Sequence, residues 1–90
     1  MSRPADYLEI LGRRGRDRIT GFAGVVTSIS FDLYGCIQIV LSPPADDKGV
    51  VPDGRWFDFA RIEADGVRVM EPPPQWLATK GAADKPARQF

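Results

Sequence analysis

Arginines and glycines are concentrated after the first dozen residues, and both residue types can bind phosphate. The arginines are Arg13, Arg14, Arg16 and Arg18, and they are followed by Gly21 and Gly24. Guanidinium groups form paired hydrogen bonds with phosphate oxygens, and glycine-rich turns allow backbone amides to approach a phosphate. The segment therefore raises two hypotheses, a phosphate-binding loop and a basic arm that binds nucleic acid.

The residues after the glycines argue against a phosphate-binding loop. Such a loop joins a strand to a helix and ends in Lys-Ser/Thr, whereas Gly24 is followed by the β-branched run VVTSISF. The dinucleotide-binding pattern G-x-G-x-x-G is excluded for the same reason. Gly21, Gly24 and Gly35 are therefore predicted to be structural turn residues, because glycine adopts backbone angles that other residues avoid.

The residue types needed for most catalytic and metal sites are scarce. The chain has no histidine and one cysteine, Cys36, which excludes an intramolecular disulfide, a Cys/His zinc site and histidine catalysis. Cys36 lies in an apolar run and is predicted to be buried and inert. Asp46, Asp47 and Asp53 lie among prolines at a spacing that does not fit a calcium loop. We therefore predict a protein that is not an enzyme and uses no cofactor or metal.

Length, composition and charge indicate one small domain. The 90 residues are 43% hydrophobic and have zero formal net charge, which argues against a dedicated duplex-DNA binder. Residues 1–22 carry five arginines and three acidic residues, whereas residues 42–65 carry six acidic and three basic ones. Chains with such opposed charges can pair with copies of themselves. Because no signal peptide or membrane-spanning run is visible, we expect a cytoplasmic protein with no membrane partner.

Short β-branched runs separated by turn residues predict five strands. They are expected at residues 18–22, GVVTSISF, CIQIVLS, RWFDFARIE and VRVM, with turns at DLYG and at Asp65-Gly66. Residues 13–18 are interpreted as a polar connector. We predict an N-terminal arm or short helix over residues 1–15, an all-β antiparallel barrel over 16–71 and a flexible, proline-rich tail over 72–90.

Alternation along the predicted strands separates buried from exposed positions. The predicted core comprises Val25, Ile29, Ile37, Ile39, Leu41, Phe57 and Ile62. Trp56 and Phe57 are adjacent, so they point to opposite faces of their strand. An exposed Trp56 beside Arg55 would suit stacking against a base or nucleotide, and packing beneath the tail prolines is the alternative.

The segment RITGFAGVVTSI resembles the KOW motif of certain ribosomal and transcription-elongation proteins. The shared pattern is a basic residue and Ile, then two spaced glycines, then a Val-Val run and Ile. In that family, one strand, a glycine-bearing turn and the next strand form part of a Src-homology-3-like barrel. The resemblance implies a small five-stranded antiparallel barrel of this kind.

A longer resemblance connects the chain with short uncharacterised proteins encoded by tailed phages and prophages. The shared pattern is carried by Thr20, Gly21, Phe22, Gly24, Gly35, Cys36, Gln38, Pro43, Trp56, Phe57 and Asp58. The chain departs from this pattern before Arg16 and in the proline-rich tail. The resemblance implies a phage or prophage origin and a location in the host cytoplasm, and it implies no particular activity.

These observations predict a non-catalytic phage accessory protein that acts by binding. The first hypothesis is an oligomeric protein-interaction module that contacts a host or phage protein. The second is an anti-defence sponge that sequesters a nucleotide signal between subunits, and the third is a nucleic-acid binder that uses the arginine-rich arm. The residues expected to bind a ligand are Arg13, Arg14, Arg16, Arg18, Arg55 and Trp56.

Apolar residues outside the predicted barrel favour a homo-oligomer. The arm and the tail carry Tyr7, Leu8, Ile10, Leu11, Trp76 and Leu77. A domain of about 60 residues buries only about 60% of its unfolded surface, so a single barrel has little surface to cover them. We therefore expect a neighbouring copy to cover these groups.

Overall fold

The computed structural model describes residues 4–74, which contain a five-stranded antiparallel sheet. The strands are β1 (Arg13–Asp17), β2 (Ala23–Phe31), β3 (Ile37–Ser42), β4 (Arg55–Asp58) and β5 (Ile62–Arg68). Their order in the sheet is β4-β3-β2-β1-β5, so the first strand pairs with both the second and the last. This arrangement confirms the predicted all-β, Src-homology-3-like barrel of five strands, although β4 and β5 do not pair and the sheet is not closed.

The first strand is formed by the segment that was expected to be a polar connector. β1 contains the arginine-rich residues 13–17, whereas residues 18–22, the predicted first strand, form a turn. The two buried positions of β1 are Gly15 and Asp17, so the strand shows no apolar alternation. A Cβ atom at position 15 would lie 3.2 Å from methyl carbons of Ile62 and Leu41, so glycine fits this inward position.

An extra residue in β2 changes which valine faces the core. Val26 pairs with Leu41 and Ser28 pairs with Val40, so the residue between them, Thr27, is unpaired and forms a bulge. Val26 is almost fully buried, whereas Val25 is only half-buried. The prediction of Val25 as a core residue is therefore wrong, and Val26 takes its place.

Most of the predicted core is confirmed. Ile39, Leu41, Phe57 and Ile62 are buried, and half-buried Ile29 packs against them. Ile37, at the start of β3, is half-buried and does not pack against this cluster, so its assignment to the core is wrong. Ile39 and Leu41 have no exposed surface, because β3 has a partner strand on each side and its inner face is covered. The core therefore lies under β2, β3 and β4.

The predicted turn at Asp65-Gly66 lies inside β5 and is a bulge. The pairing between β1 and β5 is irregular here. Arg13 pairs with Arg68 and Gly15 pairs with Ala64, so two residues along β1 correspond to four residues along β5. The Asp65 carboxylate accepts a hydrogen bond from the Val67 N–H at 3.0 Å. Asp65 therefore forms the local hydrogen bond expected of a turn residue, but this hydrogen bond lies in a bulge within β5 and does not end the strand.

The N-terminal arm is short and partly helical, as predicted. It consists of one helical turn (Pro4–Tyr7) and a 3-10 turn (Leu8–Ile10), and Gly12, with a φ of +84°, leads into β1. No helix within residues 4–74 has the length and apolar character needed to cross a membrane.

The arm packs against the barrel of its own chain. Ile10 and Leu11 are buried in the core, and the Tyr7 ring lies edge-on to Phe59 with 4.8 Å between ring centroids. The prediction that the apolar groups of the arm need a neighbouring copy is therefore wrong. Trp76 and Leu77, with the rest of the predicted tail after residue 74, lie outside the described residues.

We predict that Ile39→Ala lowers the free energy of unfolding by about 2–5 kcal/mol, because it leaves a cavity where a side chain was fully buried. Urea unfolding followed by circular dichroism measures this change. Ile19→Ala is the matched control: Ile19 is 74% exposed, and its truncation should change stability by less than about 0.5 kcal/mol. Equal stability of the two variants would contradict the observed strand register.

Candidate functional site

Buried Asp17 and half-buried Arg61 form an ion pair that was not anticipated from the sequence. Arg61 donates from Nε to Oδ1 at 2.7 Å and from Nη2 to Oδ2 at 2.6 Å, and the Asp17 side chain has no exposed surface. Thr20 donates its backbone N–H and its hydroxyl to the same carboxylate. The hydrogen bonds from Arg61, supported by those from Thr20, hold the pKa of Asp17 well below its usual range despite burial. The pair joins β1, the turn at 18–22 and the segment before β5.

Two of the arginines predicted to bind a ligand make contacts within the chain. Arg13 donates from Nε to the Glu9 carbonyl at 2.7 Å and from Nη1 to the Gly66 carbonyl at 2.8 Å. Arg16 approaches the Glu63 carboxylate at 3.4 Å. Arg13 therefore connects the arm to the bulge in β5, and Glu63 partly balances the charge of Arg16.

The other predicted ligand-binding residues are exposed and lie on different parts of the sheet. Arg14, Arg18 and Arg55 make no side-chain hydrogen bond or ion pair with any residue from 4 to 74. Arg14 lies on β1 and Arg18 in the turn after it, whereas Arg55 and Trp56 lie on β4. β2 and β3 separate β1 from β4, so the structure does not bring the six predicted residues together in one cluster.

The three glycines singled out by the sequence occupy different environments. Gly21 and Gly35 have φ angles of +81° and +91° and lie in turns. The prediction of Gly24 as a turn residue is wrong: Gly24 lies within β2, where a Cβ atom would come within 2.4 Å of the Ser42 carbonyl oxygen. Glycine at position 24 therefore allows the end of β3 to pass close to β2.

An open groove of about 590 Å³ lies around Val25, next to the point where β3 passes β2. Its apolar lining residues are Val25, Ala23, Pro43, Pro44 and Val69, and its polar side chains are those of Arg14 and Ser42. Val69 is 51% exposed. The groove therefore combines an apolar surface with a guanidinium group that has no partner among residues 4–74.

A smaller depression of about 470 Å³ adjoins this groove and shares Arg14 with it. It also contains Arg16, Glu63 and Asp65. Two basic and two acidic side chains therefore lie side by side, and their charges offset each other.

The outer face of β3 and β4 carries a second group of exposed side chains. Trp56 pairs with Val40 across the two strands, and Asp58 pairs with Gln38. The Gln38 amide donates to the Asp58 carboxylate at 3.3 Å, and Trp56 is 54% exposed. We call this surface (Trp56, Val40, Gln38 and Asp58) the Trp56–Asp58 face. The alternation of β3 predicted that Gln38 and Val40 share a face, but it did not identify their partners on β4.

Cys36 is exposed, so the prediction that it is buried is wrong. It follows a turn in which the Asp32 carboxylate accepts hydrogen bonds from the N–H groups of Tyr34 and Cys36, both at 2.9 Å. The negative charge of Asp32 raises the pKa of the Cys36 thiol, and desolvation and the charge of Asp58 add to this effect. A raised pKa lowers the fraction of thiolate, the nucleophilic form, at neutral pH.

The aspartates of the loop between β3 and β4 stabilise the loop itself. The Asp46 carboxylate accepts hydrogen bonds from the N–H groups of Lys48 and Val50, at 2.8 and 2.9 Å. Within residues 4–74, no group of three acidic, cysteine or histidine side chains is arranged to hold a metal ion.

We predict that Asp17→Asn reduces the loss of stability in acid. The folded pKa of Asp17 is depressed relative to an unfolded value of about 4, so its contribution is complete above about pH 5 and is lost as the pH falls toward the folded pKa. Urea unfolding at successive pH values should therefore show a shallower decline for the variant, which is also less stable at neutral pH.

The control for Asp17→Asn is Asp53→Asn. Asp53 is exposed and has no side-chain partner among residues 4–74, so its substitution should preserve the wild-type acid profile. If Asp17→Asn declines as steeply as the wild type, the Asp17–Arg61 pair does not contribute to acid sensitivity.

We also predict that Asp32→Asn increases the alkylation rate of Cys36 by iodoacetamide several-fold at mildly alkaline pH. The substitution removes the charge that raises the thiol pKa, while the asparagine amide oxygen can still accept the hydrogen bonds of the turn. Mass spectrometry measures the rate, and Asp47→Asn, in another loop, should leave it unchanged. An unaltered rate in Asp32→Asn would show that Asp32 is not the main cause.

No family model matches the chain, and neither a curated protein nor a solved structure matches it with significance. Function must therefore be inferred from the surfaces of this chain. Within residues 4–74, the groove around Val25 and the Trp56–Asp58 face each combine apolar and charged side chains that could bind a partner.

Proposed function

We propose that the protein is a non-catalytic binding module of a phage or prophage, which self-associates and contacts host or phage proteins. The observation that supports this most is the groove around Val25, an open and mainly apolar surface beside β2. Exposed apolar surface of this kind is typical of sites that bind another protein. The resemblance to short phage proteins supports the proposed origin.

The groove has the composition of a protein-binding surface. Val25, Pro43, Pro44 and Val69 lose little side-chain entropy when they are covered, because valine is stiff and proline is cyclic. Arg14 adds a donor that can form two directed hydrogen bonds, and arginine is enriched at interfaces. Apolar contact supplies affinity here, and Arg14 supplies orientation.

A second copy of the chain is the partner that charge complementarity favours. Arg14 and Arg18 have no ion-pair partner within residues 4–74, and the same holds for Asp47 and Asp53 in the loop after β3. Opposite charges on separate surfaces of one chain attract copies to each other and set their relative orientation. The groove, not the arm, is therefore the proposed surface for self-association.

The nucleic-acid and nucleotide-sponge hypotheses have less support. Phosphate binding by the arginine-rich segment needs several available cations, but Arg13 is bound to backbone carbonyls and Arg16 lies beside Glu63. Glu63 and Asp65 also lie next to Arg14, so this region lacks the several unbalanced cations that a multiply charged phosphate chain needs. These two hypotheses therefore rank below protein interaction.

Size-exclusion chromatography with light scattering, from low to high micromolar concentration, tests self-association. We expect a mass that is a multiple of the monomer mass. Val69→Lys should shift this mass toward the monomer, because the variant places an ammonium group in an apolar contact.

Val51→Lys is the matched control for Val69→Lys. Val51 is also an exposed valine, at 71%, but it does not line the groove, so this variant should retain the wild-type mass. A wild-type protein that is monomeric at every concentration would overturn the proposal of self-association.

A further inference from the structure

Trp56 is a large aromatic side chain on an exposed face of the sheet. It is 54% exposed, and within residues 4–74 its ring stacks on no other aromatic ring and no cation. Its cross-strand neighbour Val40 is half-buried and extends the apolar area. Tryptophan is among the residues most enriched in binding hot spots, because it buries much area for little lost entropy.

One acidic side chain, that of Asp58, lies two residues from Trp56 on the same face of β4. Asp58 is exposed, and Gln38 occupies only one of its carboxylate oxygens. An aromatic ring beside a carboxylate is suited to receive a guanidinium group.

Neither of the arginines near Trp56, Arg55 and Arg61, stacks on its ring or forms an ion pair with Asp58. Arg55 precedes Trp56 on β4, so strand alternation directs the two side chains to opposite faces. Arg61 is held by two hydrogen bonds to Asp17, and it feels the charge of Asp58 without forming an ion pair with it. The Asp58 carboxylate has no ion-pair partner within residues 4–74 and can accept a cation from a second copy.

The groove around Val25 carries the complementary features. Its volume of about 590 Å³ is large enough to receive an indole, and its lining is mainly apolar. Arg14 borders the groove and has no ion-pair partner within residues 4–74. One surface therefore presents an exposed tryptophan beside a carboxylate, and the other presents an apolar groove beside a guanidinium group.

We infer that the Trp56–Asp58 face of one copy docks onto the groove around Val25 of a second copy, with Trp56 in the groove and Asp58 paired with Arg14. This inference rests on the proposed self-association and identifies the two surfaces that meet. Because the two surfaces differ, a twofold pair makes this contact twice, whereas a head-to-tail arrangement makes it once per copy and closes into a ring or continues as a filament.

A charge exchange between two variants tests the pairing of Asp58 with Arg14. Arg14→Asp places two carboxylates at the contact, and Asp58→Arg places two guanidinium groups there, so each variant alone should lose the wild-type mass in light scattering. An equimolar mixture contains matched pairs and should recover that mass. Lys48→Asp, an equivalent charge change in the exposed loop between β3 and β4, is the control and should retain the wild-type mass.

Trp56→Ala tests the aromatic part of the contact and should also lose the wild-type mass, with its melting temperature reporting that it still folds. If the wild type is oligomeric and all three variants keep its mass, the docking of these two surfaces is wrong while self-association stands. A mixture that stays monomeric would overturn the Asp58–Arg14 pairing. A monomeric wild type would instead overturn self-association itself.

Discussion

The hydrogen-bonded ion pair between Asp17 and Arg61 joins the end of β1 to the segment before β5, and it reinforces the backbone ladder between these two strands. Asp17 is fully buried at the end of β1, and Arg61 reaches it from the 3-10 turn before β5 while lying 5.4 Å from the centre of the Phe57 ring. A buried carboxylate that lost its partner would be strongly unfavourable, so the pair requires β1 and β5 to stay together. The position of β1, and with it that of Arg14 beside the groove, depends on this contact.

The sequence was informative where local chemistry and strand alternation agree. β3 was predicted accurately because Ile37, Ile39 and Leu41 alternate with polar or smaller residues, and the preceding turn because Asp32 and Gly35 have turn chemistry. β1 was missed because a glycine and an aspartate occupy its two buried positions. Gly15 fits there because a side chain would press against Ile62 and Leu41, and both of these residues are distant in the sequence.

The predicted strand RWFDFARIE is divided by the 3-10 turn at Phe59–Arg61, and bulges explain two further errors in the predicted fold. Alternation with a period of two assumes an unbroken ladder, and Thr27 interrupts that ladder in β2, so the inward positions change parity. Asp65 and Gly66 form a bulge for a related reason, since Arg13 on the neighbouring strand holds the Gly66 carbonyl at 2.8 Å. The pairing of β2 with β3 around Thr27 and the contact of Arg13 with Gly66 both depend on residues that are distant in the sequence.

The candidate surfaces were predicted only in part, because their chemistry depends on strand register. Exposure of Arg14 and Trp56 was expected from residue type and alternation, and it is observed. The engagement of Arg13 by backbone carbonyls was not visible in the sequence, because one of those carbonyls is 53 positions away. The pairing of Gln38 with Asp58 likewise required the register between β3 and β4.

The pairing of the first strand with the last affects how the chain folds as it leaves the ribosome. β2 and β3 are joined by a short turn and can form a hairpin as soon as residue 42 has emerged. Asp17 can form its ion pair only after Arg61, 44 positions later in the chain, has been synthesised. Until then the core that buries Ile10 and Leu11 is incomplete. Closing so distant a contact is slow compared with forming the hairpin. The nascent chain therefore exposes its apolar arm until almost the whole barrel has been synthesised.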